Sequence, residues 1–116
     1  MPVADCLFCK MIAGIIPVKP LYDDEEMIVI QDINPQAPVH LLVIPKRHVQ
    51  SVQELESGDA ILLGHLLQTC VKLAKLKGIS ESGYRIVTNT GPQAGQTVFH
   101  LHFHLLGGRP MTWPPG

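Results

Sequence analysis

No surplus of charge, no long apolar run and no even set of cysteines mark this sequence, and each absence removes a class of function. Nine Lys and Arg face ten Asp and Glu, for a formal net charge of −1. That balance argues against duplex nucleic acid or anionic membrane as main partners, so any bound anion must be held by local groups. Every apolar stretch is broken by polar residues well short of the ~18 needed for a membrane span. The start, Met1-Pro2-Val3-Ala4-Asp5, has no basic leader followed by an apolar segment, so the expectation is a soluble cytoplasmic protein. Cys6, Cys9 and Cys70 are an odd set, which argues against a disulfide framework and leaves metal or redox chemistry for the close pair. No internal repeat or low-complexity block occurs. What remains is a chain of 116 residues, 46% hydrophobic, enough for a packed core and near the common size of one domain. One domain over residues 1–116 is expected.

Local signals place the elements. Asp5 is a candidate N-cap for a short helix over Cys6–Ala13, with Gly14 to end it. Pro17 and Pro20 enforce an extended link. Leu21–Asp23 and Met27–Asp32 suit a hairpin around Asp24-Glu25-Glu26, and His40–Ile44 reads as a strand stopped by Pro45. Between them lies a turn-rich loop, Asp32-Ile33-Asn34-Pro35-Gln36-Ala37-Pro38. The one long helix is expected from about Gly58 to Lys77. Ser57 is its N-cap, Gly78 closes it, and Leu63, Leu66, Leu67, Cys70, Leu73 and Ala74 form its apolar stripe. Tyr84–Asn89 and Phe99–Leu106 complete the strands. The class is α+β with an antiparallel sheet of about five strands, and the tail Gly107–Gly116 lies extended over a surface.

The chemistry concentrates in His100, His102 and His104. Spaced by two, they share one face of a strand, with Leu101 and Phe103 pointing into the core. Beyond plain surface histidines, two functional readings follow. Imidazoles can bind a metal, or one can attack phosphorus while its neighbours manage protons and charge. Gly91-Pro92-Gln93-Ala94-Gly95-Gln96-Thr97 feeds directly into this segment. Its backbone N–H groups and its Gln and Thr side chains can surround phosphate oxygens, although the Walker ending is absent. The loop therefore favours phosphoryl chemistry.

Residues 95–109, Gly-Gln-Thr-Val-Phe-His-Leu-His-Phe-His-Leu-Leu-Gly-Gly-Arg, resemble the histidine triad (HIT) signature, His-φ-His-φ-His-φ-φ with φ apolar. Asp32–Pro38 and His40–His48 resemble that family's nucleotide-binding half, and Trp113-Pro114-Pro115-Gly116 the end of its Hint branch. The resemblance implies a nucleoside phosphoramidase, or a similar nucleotidyl hydrolase, acting on AMP or GMP conjugates without a catalytic metal. It implies a HIT fold paired into a homodimer with joined sheets. His102 would be the nucleophile that takes the nucleoside monophosphate, with His104, His100, His40 and Thr97 completing the catalytic set. Nucleotide contacts would come from Asp32, Ile33, Asn89, Gly95, Gln96, Thr97, His102, His104 and Trp113. The tail would cross to the partner's leaving-group pocket. Plain structural roles stand beside these: Asp32 opening a turn, Asn89 ending a strand, His40 as a satisfied histidine, and Trp113 packing on its own domain. His65, off the signature, is expected to be structural or exposed.

Cys6-x-x-Cys9 has zinc-ligand spacing but no second cysteine pair, and buried free thiols are the alternative. Some HIT proteins carry such a pair that binds a structural zinc with two histidines. The matching positions here are His48 and His100. Two rival functions remain open: a metallohydrolase ligated by His100, His102 and His104, and a non-catalytic nucleotide- or partner-binding module.

Overall fold

A computed structural model describes residues 3–116. Two helices, α1 (Leu7–Ile12) and α2 (Ala60–Leu76), accompany five strands. The strands are β1 (Tyr22–Asp23), β2 (Met27–Gln31), β3 (Val39–Pro45), β4 (Tyr84–Val87) and β5 (Phe103–Gly107). They form one antiparallel sheet in the order β1-β2-β3-β5-β4. The expected β1–β2 hairpin is present, with Tyr22 opposite Val29. Among the described residues no helix is long and apolar enough to cross a membrane.

The sheet has two apolar faces, because alternate side chains of a strand point opposite ways. Met27, Val29, Leu41, Val43, Phe103 and Leu105 pack under α2 with Leu66, Cys70 and Leu73. Ile28, Ile30, Leu42 and Ile44 pack on the other side with Cys6, Phe8 and Cys9 of the α1 segment. In register, Leu42 lies opposite His104 and Leu41 opposite Leu105. The sheet therefore delivers His104 to the α1 face.

Several boundaries differ from the sequence reading. α1 is capped by Cys6, whose Sγ accepts from the Cys9 N–H at 3.4 Å, and Asp5 is exposed. The long helix begins at Ala60, not Gly58, because residues 57–59 wind as a 3₁₀ turn. Asp59, not Ser57, ties that turn. Its carboxylate accepts from the Glu56 N–H at 3.0 Å and pairs with Arg47 at 2.6 Å, which holds its pKa down at about 2. Leu67 leaves the expected stripe and is 38% exposed. Leu63 packs against the core as expected, and Leu62, outside that stripe, joins it. β4 stops at Val87, short of Asn89.

The last strand also starts late, at Phe103 in place of Phe99. A ladder extended toward His100 would need Pro45, which has no N–H to give and whose carbonyl accepts from the His100 ring at 2.7 Å. Residues 98–100 bend instead.

The corrected stripe is testable by urea denaturation. Leu66→Ala should cost about 2–5 kcal/mol, as expected for a fully buried leucine. Leu67→Ala should cost less than about 1 kcal/mol. Equal losses would restore the stripe as read from sequence.

Candidate active site

The three histidines share a side of the sheet but not a strand. His104 stands in β5, His102 directly precedes it, and His100 lies in the bend. Leu101 and Phe103 are in the core as expected. The Leu101 N–H donates to the Val49 carbonyl at 2.7 Å, and the Thr88 hydroxyl donates to the His102 carbonyl at 2.8 Å. These bonds anchor the segment where the ladder is absent. The imidazoles then divide: His100 turns toward the cysteines, whereas His102 and His104 lie beside each other, ring centroids 5.0 Å apart and planes inclined at 57°.

Backbone donors and acceptors set the tautomers of the second group. The Gln36 N–H donates to His40 Nδ1 at 3.0 Å, so the His40 proton sits on Nε2. That N–H donates to His104 Nδ1 at 2.9 Å, which leaves the His104 proton on Nε2. Asp32 Oδ2 lies 3.3 Å from His40 Nε2, while its Oδ1 accepts from the Asn34 N–H at 2.9 Å. Asp32 therefore opens the turn and faces the histidines at once. His102 Nδ1 donates to the His100 carbonyl at 2.7 Å and leaves Nε2 with a lone pair. One ring thus offers a lone pair and its neighbour an N–H donor.

Burial keeps these rings neutral. It lowers the His40 pKa against the opposing pull of Asp32, and it lowers that of His102 against the His100 carbonyl. His104 falls furthest, to about 4, through burial first and then the neighbouring His102 and His40.

The other cluster joins α1 to the bend. Cys6 Sγ lies 3.3 Å from His100 Nδ1, Cys9 Sγ is 3.4 Å from His48 Nδ1, and Cys9 Sγ is 3.6 Å from His100 Nδ1. The two Nδ1 atoms are 3.1 Å apart. A tetrahedral zinc with ordinary Zn–S and Zn–N bonds has ligand–ligand edges of about 3.3–3.8 Å; the three S···N separations match, and the N···N pair, slightly short, would open to admit such an ion. The His100 Nε2–H bond to the Pro45 carbonyl points the Nδ1 lone pair inward, the usual support for a ligating histidine. Backbone N–H groups of Cys9 and Val3 donate to Cys6 Sγ and Cys9 Sγ, each at 3.4 Å. Cys70 is elsewhere, buried in the α2 core, and burial pushes its thiol up to about 11.

A HIT domain family model matches residues 14–111. The chain belongs to the HIT family. It is 50% identical over 112 residues to an uncharacterized HIT-like protein of Synechococcus elongatus, covering 97% of each. It is similar to the crystal structure of a HIT family hydrolase from Legionella pneumophila, with TM-score 0.94 and 48% identity over 97% of this chain and 100% of the other. A HIT family hydrolase from Clostridium thermocellum gives TM-score 0.91 and 49% identity over 95% and 96%.

Around the histidines, this HIT domain spaces its remaining candidates by backbone bonds. Gly91 and Gly95, at φ 84° and 80°, flank the 3₁₀ turn Pro92–Ala94. Gln96 was expected to touch nucleotide, but its side chain is committed to the loop. Its amide nitrogen donates to the Gln50 carbonyl at 2.7 Å and the Val98 carbonyl at 3.2 Å, and its oxygen accepts from the Gly91 N–H at 2.9 Å. Its own N–H donates to the Gly91 carbonyl at 3.1 Å. Thr97 and Gly95 are exposed, and Asn89 is half-buried just past β4. Among the described residues, the metal-capable groupings are Cys6–Cys9–His48–His100 and Asp32–His40–His104. His100, His102 and His104 do not form one such grouping.

A cleft of about 340 Å³ opens beside Asp32 and Ile33, lined also by Met11, Val18 and Ile30. Met11, Val18, Ile30 and Phe8 did not stand out in the sequence, because their pattern is that of ordinary core. Trp113 is 83% exposed and does not pack on its own domain. Arg85 and Arg109 tether the tail by donating to the Thr112 and Gln36 carbonyls, each at 2.9 Å. His65 is structural: its Nδ1 meets Glu26 Oε1 at 2.6 Å and links α2 to the hairpin.

An NMR titration checks the burial of His104. It should protonate near pH 4; a midpoint near the ordinary 6.5 would contradict the site as described. With the folded pKa below the unfolded one, protonation favours the unfolded chain, so stability falls as pH drops from about 6.5 toward 4. His104→Gln should lose less stability over that window.

Proposed function

We propose that this HIT domain hydrolyses purine nucleoside 5′-phosphoramidates or related nucleotidyl conjugates through a covalent intermediate on His102. The carrying observation is the 2.7 Å bond from His102 Nδ1 to the His100 carbonyl, which commits one ring nitrogen as donor and frees the other as nucleophile. His102 Nε2 forms a bond to the α-phosphorus as the bond to the leaving group breaks. The leaving nitrogen or oxygen takes a proton from solvent, which the Thr97 hydroxyl would relay. The His104 Nε2–H, held by the His40–Gln36 chain, donates to a non-bridging oxygen as negative charge builds. Water then attacks phosphorus and releases a proton to solvent, and the P–N bond breaks with its electron pair returning to Nε2.

Asp32 suits the ribose hydroxyls, and the adjoining cleft with Ile33 and Met11 suits the base. Asn89 and the exposed Gly95 and Thr97 border the phosphate. A homodimer joined across the sheets accounts for the exposed Trp113, which lies on the partner in this reading. The Cys6–Cys9–His48–His100 tetrahedron would hold a structural zinc, closed by four protein ligands. Its contribution is to folding, because ligand burial and ion binding are coupled.

His102→Ala should lower kcat at least about 1,000-fold, the scale of losing a nucleophile, while AMP still binds. Retention of a tenth of the wild-type rate would remove His102 from this role. Wild-type protein that binds AMP tightly and turns over no phosphoramidate would favour the binding-module reading. Deleting Met111–Gly116 should leave AMP affinity intact and change kcat/KM unequally among leaving groups. Equal changes would separate the tail from specificity.

A further inference from the structure

His100 enters two structures at once. Its ring is fully buried and anchored at both nitrogens, by Nε2 to the Pro45 carbonyl at 2.7 Å and by Nδ1 among Cys6, Cys9 and His48 at 3.1–3.6 Å. Its carbonyl accepts the His102 Nδ1–H at 2.7 Å. A side chain held at two points fixes the residue's backbone, and with it the direction in which that carbonyl points. The nucleophile's tautomer thus hangs on the same residue that closes the metal tetrahedron.

A second contact runs in parallel. α1 has only six residues, too few for a helix to be stable alone. It is pinned by Cys6 and Cys9 at the two sides of its first turn. Between them Phe8, 3% exposed, packs edge-on against both rings, 5.7 Å from His100 and 5.0 Å from His102. The HIT family match begins only at residue 14, beyond this segment. Without an ion, Cys6, Cys9, His48 and His100 share only weak sulfur contacts and one short N···N approach. With an ion, all four are tied to one centre.

We infer that His100 is a positioning residue that couples occupancy of the Cys6–Cys9–His48–His100 site to the orientation of His102. The inference rests on the nucleophile assignment above, but its primary readout does not need turnover. When the site is filled, His102 holds the proton on Nδ1 and presents Nε2. When it is empty, the His100 carbonyl and Phe8 lose their common anchor, and His102 populates the other tautomer, which presents no lone pair to phosphorus. The Gln36–His40–His104 chain stands on the β3–β5 ladder and is unaffected.

The test uses full-length protein with 15N-labelled histidine, in which long-range 1H–15N spectra identify each ring's tautomer. The zinc-loaded protein should show His102 as the Nδ1–H form alone. Chelation should produce a mixture, and zinc or cobalt should restore the single form. Phosphohistidine formation should fall about 10- to 100-fold on chelation, the scale of a small misplacement of a reacting group, and more than AMP affinity does. His48→Asn keeps α1 and both cysteines and weakens the site. In that folded variant the His102 tautomer ratio should follow zinc occupancy through a titration, which keeps the test decisive if complete chelation unfolds the chain. A ratio that stays fixed across the titration, or a protein that takes up no zinc, overturns the inference. Absent turnover in fully loaded protein with the expected tautomer change counts against the proposed function and leaves the coupling standing.

Discussion

The proton that His102 Nδ1 gives to the His100 carbonyl, across 2.7 Å, is the bond on which the site depends. A neutral imidazole has one donor and one acceptor nitrogen, and that bond decides which is which. Much of the surrounding structure serves it. The Thr88 hydroxyl holds the His102 carbonyl, the Val49 carbonyl takes the Leu101 N–H, and Leu101 is sunk in the core beneath. The break in the β5 ladder is part of the same arrangement. A continued strand would direct the His100 carbonyl into a ladder bond, and the bend leaves it for the ring two residues on.

The near-zero net charge fits this design. The described site offers neutral donors, and its rings are kept neutral by burial. A buried imidazolium would meet two neighbouring rings of like tendency, so neutrality is the lower-energy state. Hydrogen bonds from fixed N–H groups do not need a counter-charge in the free protein, and they are strongest where water is excluded.

The alternation of the histidines with Leu101 and Phe103 was enough to place the imidazoles on one side of the sheet, because strand geometry has a period of two. It could not show that His100 belongs to a different cluster from His102 and His104. That division comes from Pro45, far along the chain, whose missing N–H and available carbonyl end the ladder and capture a ring. The β1–β2 hairpin and the five-stranded class were legible from turn chemistry and apolar patterning. The helix start was not: Ser57 has the right side chain for a cap, but residues 57–59 wind as a 3₁₀ turn whose Asp59 carboxylate accepts from the Glu56 N–H and pairs with Arg47, twelve residues away. The internal bonds of Gln96 were hidden for a similar reason. An amide beside a phosphate-sized loop suits an anion equally well on paper, and only the fold shows that its donors meet the Gln50 and Val98 carbonyls. Met11, Val18 and Ile30 stayed hidden because a residue lining an apolar cleft has the same pattern as one filling a core.

The central claim is that His102 Nε2 bonds to phosphorus. Rapid mixing of the protein with an adenosine phosphoramidate, quenching at alkaline pH where phosphohistidine persists, and peptide mass spectrometry test it directly. The account predicts a transient nucleoside monophosphate adduct on His102 that forms and decays at rates consistent with turnover. Turnover with no adduct at any time, or an adduct carried by His104 or His40, would contradict it.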